Sequence, residues 1–419
     1  MHILVVSNIE WSDENAFGNT ISNWFEGMQD VHFSSIYCRN SLPNNRVCQR
    51  YYSIPPLTIM RNFFNREKIG RDFPTKQIQE TFTRVNNHDT KERKFIQFLH
   101  RYNIRFVHSI TGFLFRTMWW DNRKFRNFIL KDKPNIIFTF ATSSEPVYLI
   151  IKAIKQLVSS CQVVVFIADD VFGNAGKAGR RRIQEVICSA DVVFGISPML
   201  CEAYQKKFGV PVRLLRKGCH LSPKLPLKTT GNIMTMVYAG NLHYGRDETL
   251  AMLAREIIAY NQNNDKKIIL KIFSGSELKD EFAGCLNDGK NVFFLGSRPN
   301  QEIQHELSSA TFALHIESFS PQWQRIVRYS FSTKITDCME SGSILFAIGP
   351  DTIASIAIAK DIPGVILVNS PKELGDVLNG VCNMDLEERR QAIHEYALAN
   401  FDIKKVQEKL LSDFRELCG

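Results

Sequence analysis

The run Ser332-Thr333-Lys334, followed by Asp337 and closed by Gly342, has residue types suited to holding a phosphate. Two small hydroxyl residues before an apolar-periodic stretch predict a helix start. Backbone N–H groups left free there attract an anion, and a Ser or Thr can cap the helix. Lys334 adds a positive charge, and Asp337 follows on the first turn. Glu317 ends a short apolar run and places a carboxylate at a predicted strand end. Gly240 ends another such run, where a missing side chain lets the backbone pass close to a ligand. Asp169 and Asp170, in Ile167 to Phe172, stand at a third strand end. Gly18-Asn19-Thr20 lies at a loop-to-helix junction after the first strand.

The elements that must position these residues alternate along the chain. Ile3 to Val6, Asn135 to Phe140, Val163 to Ala168 and Asp191 to Ile196 read as buried strands, with amphipathic segments between them, such as Asn19 to Met28. A break at 221–231, LSPKLPLKTTG, has two prolines and no apolar periodicity, as a linker would. The alternation restarts with strands at Met234 to Tyr238, Ile268 to Phe273, Val292 to Leu295, Phe312 to Ile316, Ile344 to Ile348 and Val365 to Val368. Helices are predicted at Glu248 to Tyr260, from Lys334 to Met339, and at Leu386 to Ala399 and Lys404 to Leu417. Such β/α alternation implies parallel sheets covered on both faces, with ligands beyond the carboxyl ends of the strands. The fold class is therefore α/β, with two doubly wound domains facing a cleft. The expected division is 1–222, 223–395, and a closing segment 396–419 that packs back on the first domain.

A chain of 419 residues exceeds what one hydrophobic core usually serves. Its hydrophobic content of 44% and charged content of 23% are ordinary for a globular protein. No segment reaches the roughly 20 apolar residues of a membrane span, and the N-terminus reads as a buried strand rather than a signal peptide. The expected location is the cytoplasm, including the inner face of the plasma membrane. Ten cysteines without a C-x-x-C pair read as core thiols. The net charge of +9 is concentrated: residues 61–133 carry 17 Lys/Arg against 7 Asp/Glu. Such a segment attracts something anionic. Within it, 112–130 interleaves Trp and Phe with Arg and Lys. This suits either an amphipathic helix at a membrane surface or a helix packed on the first domain with a solvated basic face.

STKITDCMESG, 332–342, resembles the donor-binding segment of the glycosyltransferase family 4 group, which reads roughly S-T/S-K-h-x-E-Y-h-A-x-G with h apolar. VYAGNLHYGRDETL, 237–250, is similar to that group's first C-domain strand and glycine turn. ISPMLCEAYQKKFG, 196–209, and Leu214 to His220 resemble its later N-domain segments, with Lys217 where Asn is usual. Ser274-Gly275 and Leu295-Gly296 resemble the strand ends near its base pocket.

The resemblance implies a GT-B fold and a retaining glycosyltransferase that moves a sugar from a nucleotide-sugar to a glycan or lipid-linked acceptor, as in surface-polysaccharide assembly. It places Asp337 on the ribose hydroxyls, Arg246 and Lys334 on the diphosphate, and Asn241 where an Arg is commoner. Arg328 or Lys334 would then supply the missing charge. It puts Glu317 at the sugar, although the spacing to Asp337 is longer than the family's E-x7-E, and Tyr329 fills the position eight before Asp337. Gly18 and Asn19 would meet donor phosphate or acceptor, and Asp169 or Asp170 would orient the acceptor hydroxyl and take its proton. Each also has a plain structural reading: Glu317 as a strand-end residue, Arg246 on a helix surface, and the glycine and aspartates in turns. No metal or other cofactor is implied, since no D-x-D stands on a suitable strand end. Two alternatives remain at this stage. One is a sugar-nucleotide epimerase or hydrolase of the same fold; the other is a non-enzymatic basic module binding nucleic acid or membrane. No nucleic-acid recognition motif is present, so no nucleic-acid partner is expected.

Overall fold

The computed structural model describes residues 1–74, 104–225 and 231–419. Part of the basic segment and of the linker reading, 75–103 and 226–230, lies outside the described residues. The chain forms two compact units. One comprises Met1–Gly195, Cys201–Leu214 and Gln407–Gly419; the other comprises Ile196–Leu200 and Leu215–Val406. The change of unit falls a few residues before the proline-rich break, and the last helix, Ile403–Cys418, joins the first unit from Gln407 onward.

The first unit holds eight strands: β1 (His2–Val6), β2 (His32–Tyr37), β3 (Arg50–Ser53), β4 (Arg71–Pro74), β5 (Ile136–Phe140), β6 (Gln162–Ile167), β7 (Val192–Gly195) and β8 (Val212–Leu214). Their order is β4-β3-β2-β1-β5-β6-β7-β8. All neighbours are parallel except β3 and β4. Helices on both faces explain the uninterrupted apolar runs. Trp24, on helix Ala16–Phe25, packs edge-on against Phe166 of β6 with ring centroids 4.6 Å apart. Phe25 stacks on Phe33 of β2.

The 112–130 stretch is two helices, Ile104–Arg116 and Arg123–Asp132. A turn interrupts them, with Met118 at φ +56°. Buried Asn122 fixes it: its amide donates to the carbonyls of Arg66 and Ile69, and its side-chain oxygen caps Phe125. Leu114, Phe115, Trp120, Phe125 and Phe128 are buried. Phe125 meets Tyr52 and Trp120 edge-on. Of the two readings of this stretch, the buried side chains fit a packing on the first domain, and the single helix is corrected to two. These side chains belong to the domain core, because the stretch bends where Asn122 can satisfy two loop carbonyls.

The second unit is a six-stranded, fully parallel sheet of β9 (Ile233–Ala239), β10 (Lys267–Phe273), β11 (Val292–Gly296), β12 (Phe312–Ile316), β13 (Ile344–Ile348) and β14 (Ile366–Val368). The order is β11-β10-β9-β12-β13-β14. After β9 the chain builds to one side as far as β11, then crosses to β12 on the other. The carboxyl ends of β9 and β12 therefore flank the point where strand order reverses, the place where open α/β sheets bind ligands.

Candidate functional site

Gly240 follows β9 and Glu317 follows β12, so topology brings these two residues to that reversal point. Arg246 opens helix Arg246–Asn263, entered through a left-handed pair, Tyr244 and Gly245. Its guanidinium turns inward. Nη2 donates to both oxygens of Glu317 at 3.0 Å, Nε donates to the Ile316 carbonyl at 3.2 Å, and Nη1 donates to Asn241 Oδ1 at 2.9 Å. Glu317 is almost fully buried, and Thr249 Oγ1 donates to its backbone carbonyl at 3.2 Å. Buried His315 approaches the same carboxylate at 3.7 Å and shares a hydrogen bond with Ser355. Burial, with Arg246 and Lys334 nearby, holds its imidazole well below the usual histidine range. The pair is thus a compensated internal ion pair. The guanidinium expected on a diphosphate is engaged with the carboxylate expected at the sugar, because adjacent parallel strands put their loops side by side.

Lys334 is arranged differently. It opens the seven-residue helix Lys334–Glu340 and reaches back toward β9. A Cβ on Gly240 would lie 2.0 Å from Lys334 Nζ, so the ammonium occupies the space that glycine leaves open. It stands 5.5 Å from the centre of the Tyr238 ring. Among the described residues, no acceptor lies within hydrogen-bond distance of Nζ. Burial first, then the neighbouring Arg246 charge, lowers its pKa to about 8, with Glu317 opposing. Among the described residues, Lys334 thus differs from Arg246 in having no hydrogen-bonded carboxylate, although Glu317 lies near enough to act on its charge.

Ser332 and Thr333 precede the helix, but Thr333 makes no side-chain cap and already has helical angles. The predicted capping is corrected: the Thr333 carbonyl accepts from the Asp337 N–H and the Thr336 hydroxyl instead. Asp337 Oδ1 accepts from Lys217 Nζ at 2.8 Å, and both side chains are mostly buried. Lys217 stands in the 214–220 turn, which is tied to the same helix by Cys219 Sγ donating to the Thr336 carbonyl and by the His220 N–H donating to Glu340. Ser197 Oγ donates to the Tyr329 carbonyl at 2.7 Å and so anchors the loop leading to Ser332. Sequence reasoning did not assign these contacts; Lys217 in a position where Asn is usual was the available signal. The long spacing between Glu317 and Asp337 is filled by the helix Pro321–Val327. Arg328, just after it, is exposed. Ser274 follows β10 and is buried, its hydroxyl accepting from the Ser276 N–H, while Ser276 Oγ accepts from the Leu242 N–H. The loops after β9 and β10 are thereby joined. Gly275 faces Ser297, which would lie 3.8 Å from an added Cβ.

The first-unit candidates separate into packing and exposed groups. Gly18 lies inside helix Ala16–Phe25, where its N–H donates to the capping Asn15 side chain and a Cβ would meet the Ser12 carbonyl oxygen at 2.1 Å. That glycine is required by packing, and Asn19 beside it is half-buried. Asp170 shapes a turn, accepting from the Gly173 N–H at 2.9 Å and the Tyr204 hydroxyl at 3.0 Å. Asp169 is exposed just beyond β6. Among the described residues, no group of three or more His, Cys, Asp or Glu side chains is placed to hold a metal ion.

No family model and no curated protein matches this sequence. Solved structures match it in shape. The E. coli protein described as trehalose-6-phosphate bound with UDP-2-fluoro glucose is 12% identical, with a TM-score of 0.61 and 99% of each chain covered. The alpha,alpha-trehalose-phosphate synthase (UDP-forming) from Burkholderia vietnamiensis is 12% identical, with a TM-score of 0.60 over 99% of this chain and 100% of its own. A glycosyltransferase from Rickettsia africae ESF-5 is 10% identical, with a TM-score of 0.60 over 99% of this chain and 98% of its own. At such identities the likeness establishes the fold, which is of the two-domain GT-B type.

Proposed function

We propose that this chain is a glycosyltransferase that takes a sugar from a nucleotide-sugar and passes it to a glycan or lipid-linked acceptor. The observation that carries this reading is Lys334. Its ammonium lies without an acceptor beside a glycine, at the strand ends where an α/β sheet of this topology binds ligands. The chemistry it would supply is stabilisation of a departing nucleoside diphosphate. As the glycosidic bond breaks, negative charge accumulates on the leaving oxygen. A fixed cation in a water-poor site stabilises that charge more than it stabilises the ground state.

The other residues take supporting roles. Arg246 and Glu317 brace the two loops through which the donor would enter. Asp337, positioned by Lys217, would accept from the ribose hydroxyls. Asp169, exposed beyond β6, would orient the acceptor hydroxyl and take its proton. Retention of anomeric configuration and metal-independence extend the sequence resemblance. UDP-sugars are the first donors to try, since one similar protein is described with UDP-2-fluoro glucose and another as UDP-forming. The test is calorimetry of the purified chain against UDP-, GDP-, ADP- and CMP-sugars, repeated with Lys334→Ala. One donor should bind to the native chain and bind far more weakly to the variant. Equal affinity in both would remove Lys334 from the site. Consumption of the donor without any acceptor would point to an epimerase or hydrolase instead.

A further inference from the structure

Most aromatic residues of 112–130 are buried, yet Phe113 of that stretch and others beside it are exposed. Phe64 is 97% exposed and Phe113 64%, with Met60, Ile110 and Phe63 exposed beside them. These residues lie close together. Helix Pro56–Arg61 packs on helix Ile104–Arg116, which presents Ile110, Phe113 and Arg116 outward at helical spacing. Phe63 stacks on Trp119 with ring centroids 4.7 Å apart and meets Phe64 edge-on at 5.7 Å. The loop carrying Phe63 and Phe64 is held by the Asn122 amide and by Arg66 donating to the Asp121 carbonyl. The tip is therefore a braced projection rather than a loose end.

We propose that this cluster docks the chain on the surface of an anionic lipid bilayer. Charge decides the occupant. Arg61, Arg66, Lys68, Arg71, Arg116, Arg123, Lys124 and Arg126 are exposed on the elements that carry or brace the cluster. The carboxylates of these elements are Glu67, Asp72, Asp121 and Asp132. Asp72 and Asp132 pair with Arg50; among the exposed cations Arg126 is matched by Asp121 and Arg116 by Glu145, and the rest still outnumber Glu67. Apolar side chains rimmed by cations match a layer of acyl chains beneath anionic headgroups. A second copy of the chain would bring the same positive charge to the contact. Among the described residues, no helix is long and apolar enough to cross a membrane, so the contact is a surface one. The inference extends the proposed transferase to an acceptor presented at a bilayer, but its evidence is this surface alone.

The experiment uses the full chain without donor or acceptor. Vesicles of equal parts phosphatidylglycerol and phosphatidylcholine are floated with the native chain and with a Phe64→Ala/Phe113→Ala variant, beside vesicles of phosphatidylcholine alone. Native chain should float with the anionic vesicles, and raising salt to about 0.5 M should release most of it. The variant should bind about tenfold or more weakly, with its melting temperature and donor affinity unchanged. Equal flotation of native and variant chains, or equal binding to phosphatidylcholine alone, would overturn the proposal. So would a dimer in sedimentation that the variant abolishes, or tight RNA binding that it abolishes. Because donor affinity is measured separately, loss of the membrane result leaves the donor site standing, and the reverse also holds.

Discussion

The ammonium of Lys334 leads to a proton-linked binding experiment. Its pKa is lowered to about 8 in the ligand-free protein, through burial and the adjacent Arg246. A bound diphosphate supplies the missing counter-charge and raises that pKa again. Linkage then fixes the sign. Below pH about 8 the amine is already protonated, so donor affinity is flat. As pH rises through 8, binding must first recapture a proton, and affinity falls by up to about tenfold per pH unit. At pH 8 roughly half a proton should be taken up per donor bound, and near pH 9 almost a whole one. Calorimetry in buffers of different ionisation enthalpy measures this number directly. Lys334→Met should abolish the uptake and weaken binding about 10- to 100-fold, as expected for loss of a charge-assisted hydrogen bond worth about 1.5–3 kcal/mol. The same variant should melt no lower than the native chain, since it removes a buried charge without an acceptor. PH-independent affinity between 7 and 9, or unchanged affinity in Lys334→Met, would refute the reasoning.

Glu317→Ala should lower stability by about 3–5 kcal/mol, because it strands a buried guanidinium; Arg246→Met/Glu317→Leu should recover most of that, as denaturant melts would show. Gly240→Ala should reduce donor affinity with little loss of stability, because its new methyl displaces the flexible end of Lys334. Gly18→Ala should do the reverse, costing about 1–3 kcal/mol against the Ser12 backbone, with donor affinity intact by calorimetry. Lys217→Met should weaken binding of the nucleotide more than of a sugar-free diphosphate, since it frees Asp337 to move; equal loss for both ligands would count against a ribose role.

The strands were legible where burial on both faces demanded continuous apolar runs. Phe312–Ile316 and Ile344–Ile348 fall where the sequence predicts them. The three-residue β8 was not found, nor were β2, β3 and β4. Their sequences HFSSIY, RYYS and RDFP mix polar with apolar residues, and at the edge of the sheet β4 runs antiparallel. Buried Ser34 and Ser35 do not announce a strand. The helix break at 117–122 was hidden for another reason. Its cause is Asn122 bonding to carbonyls more than fifty residues earlier, and no local propensity encodes that.

The site shows the same division between type and partner. Lys334, Glu317, Arg246 and Asp337 could each be singled out by type and by position at a strand or helix end. Their pairing could not, because Arg246 meets Glu317 across 71 positions and Lys217 meets Asp337 across 120. Yet pairing decides what each can do. Of the three cations Arg246, Lys217 and Lys334, two arrive with their own carboxylates. A cation already matched at close range gives little to an incoming phosphate, since binding must first break or share that bond. The one left without an acceptor pays no such exchange and is held in place by burial before the ligand arrives. In the resemblance Arg246 and Lys334 are equivalent contributors to the diphosphate. The geometry separates them: Arg246 is already matched by Glu317, whereas Lys334 has no hydrogen-bonded acceptor, so loss of Glu317 should lower stability and loss of Lys334 should weaken donor binding without lowering stability.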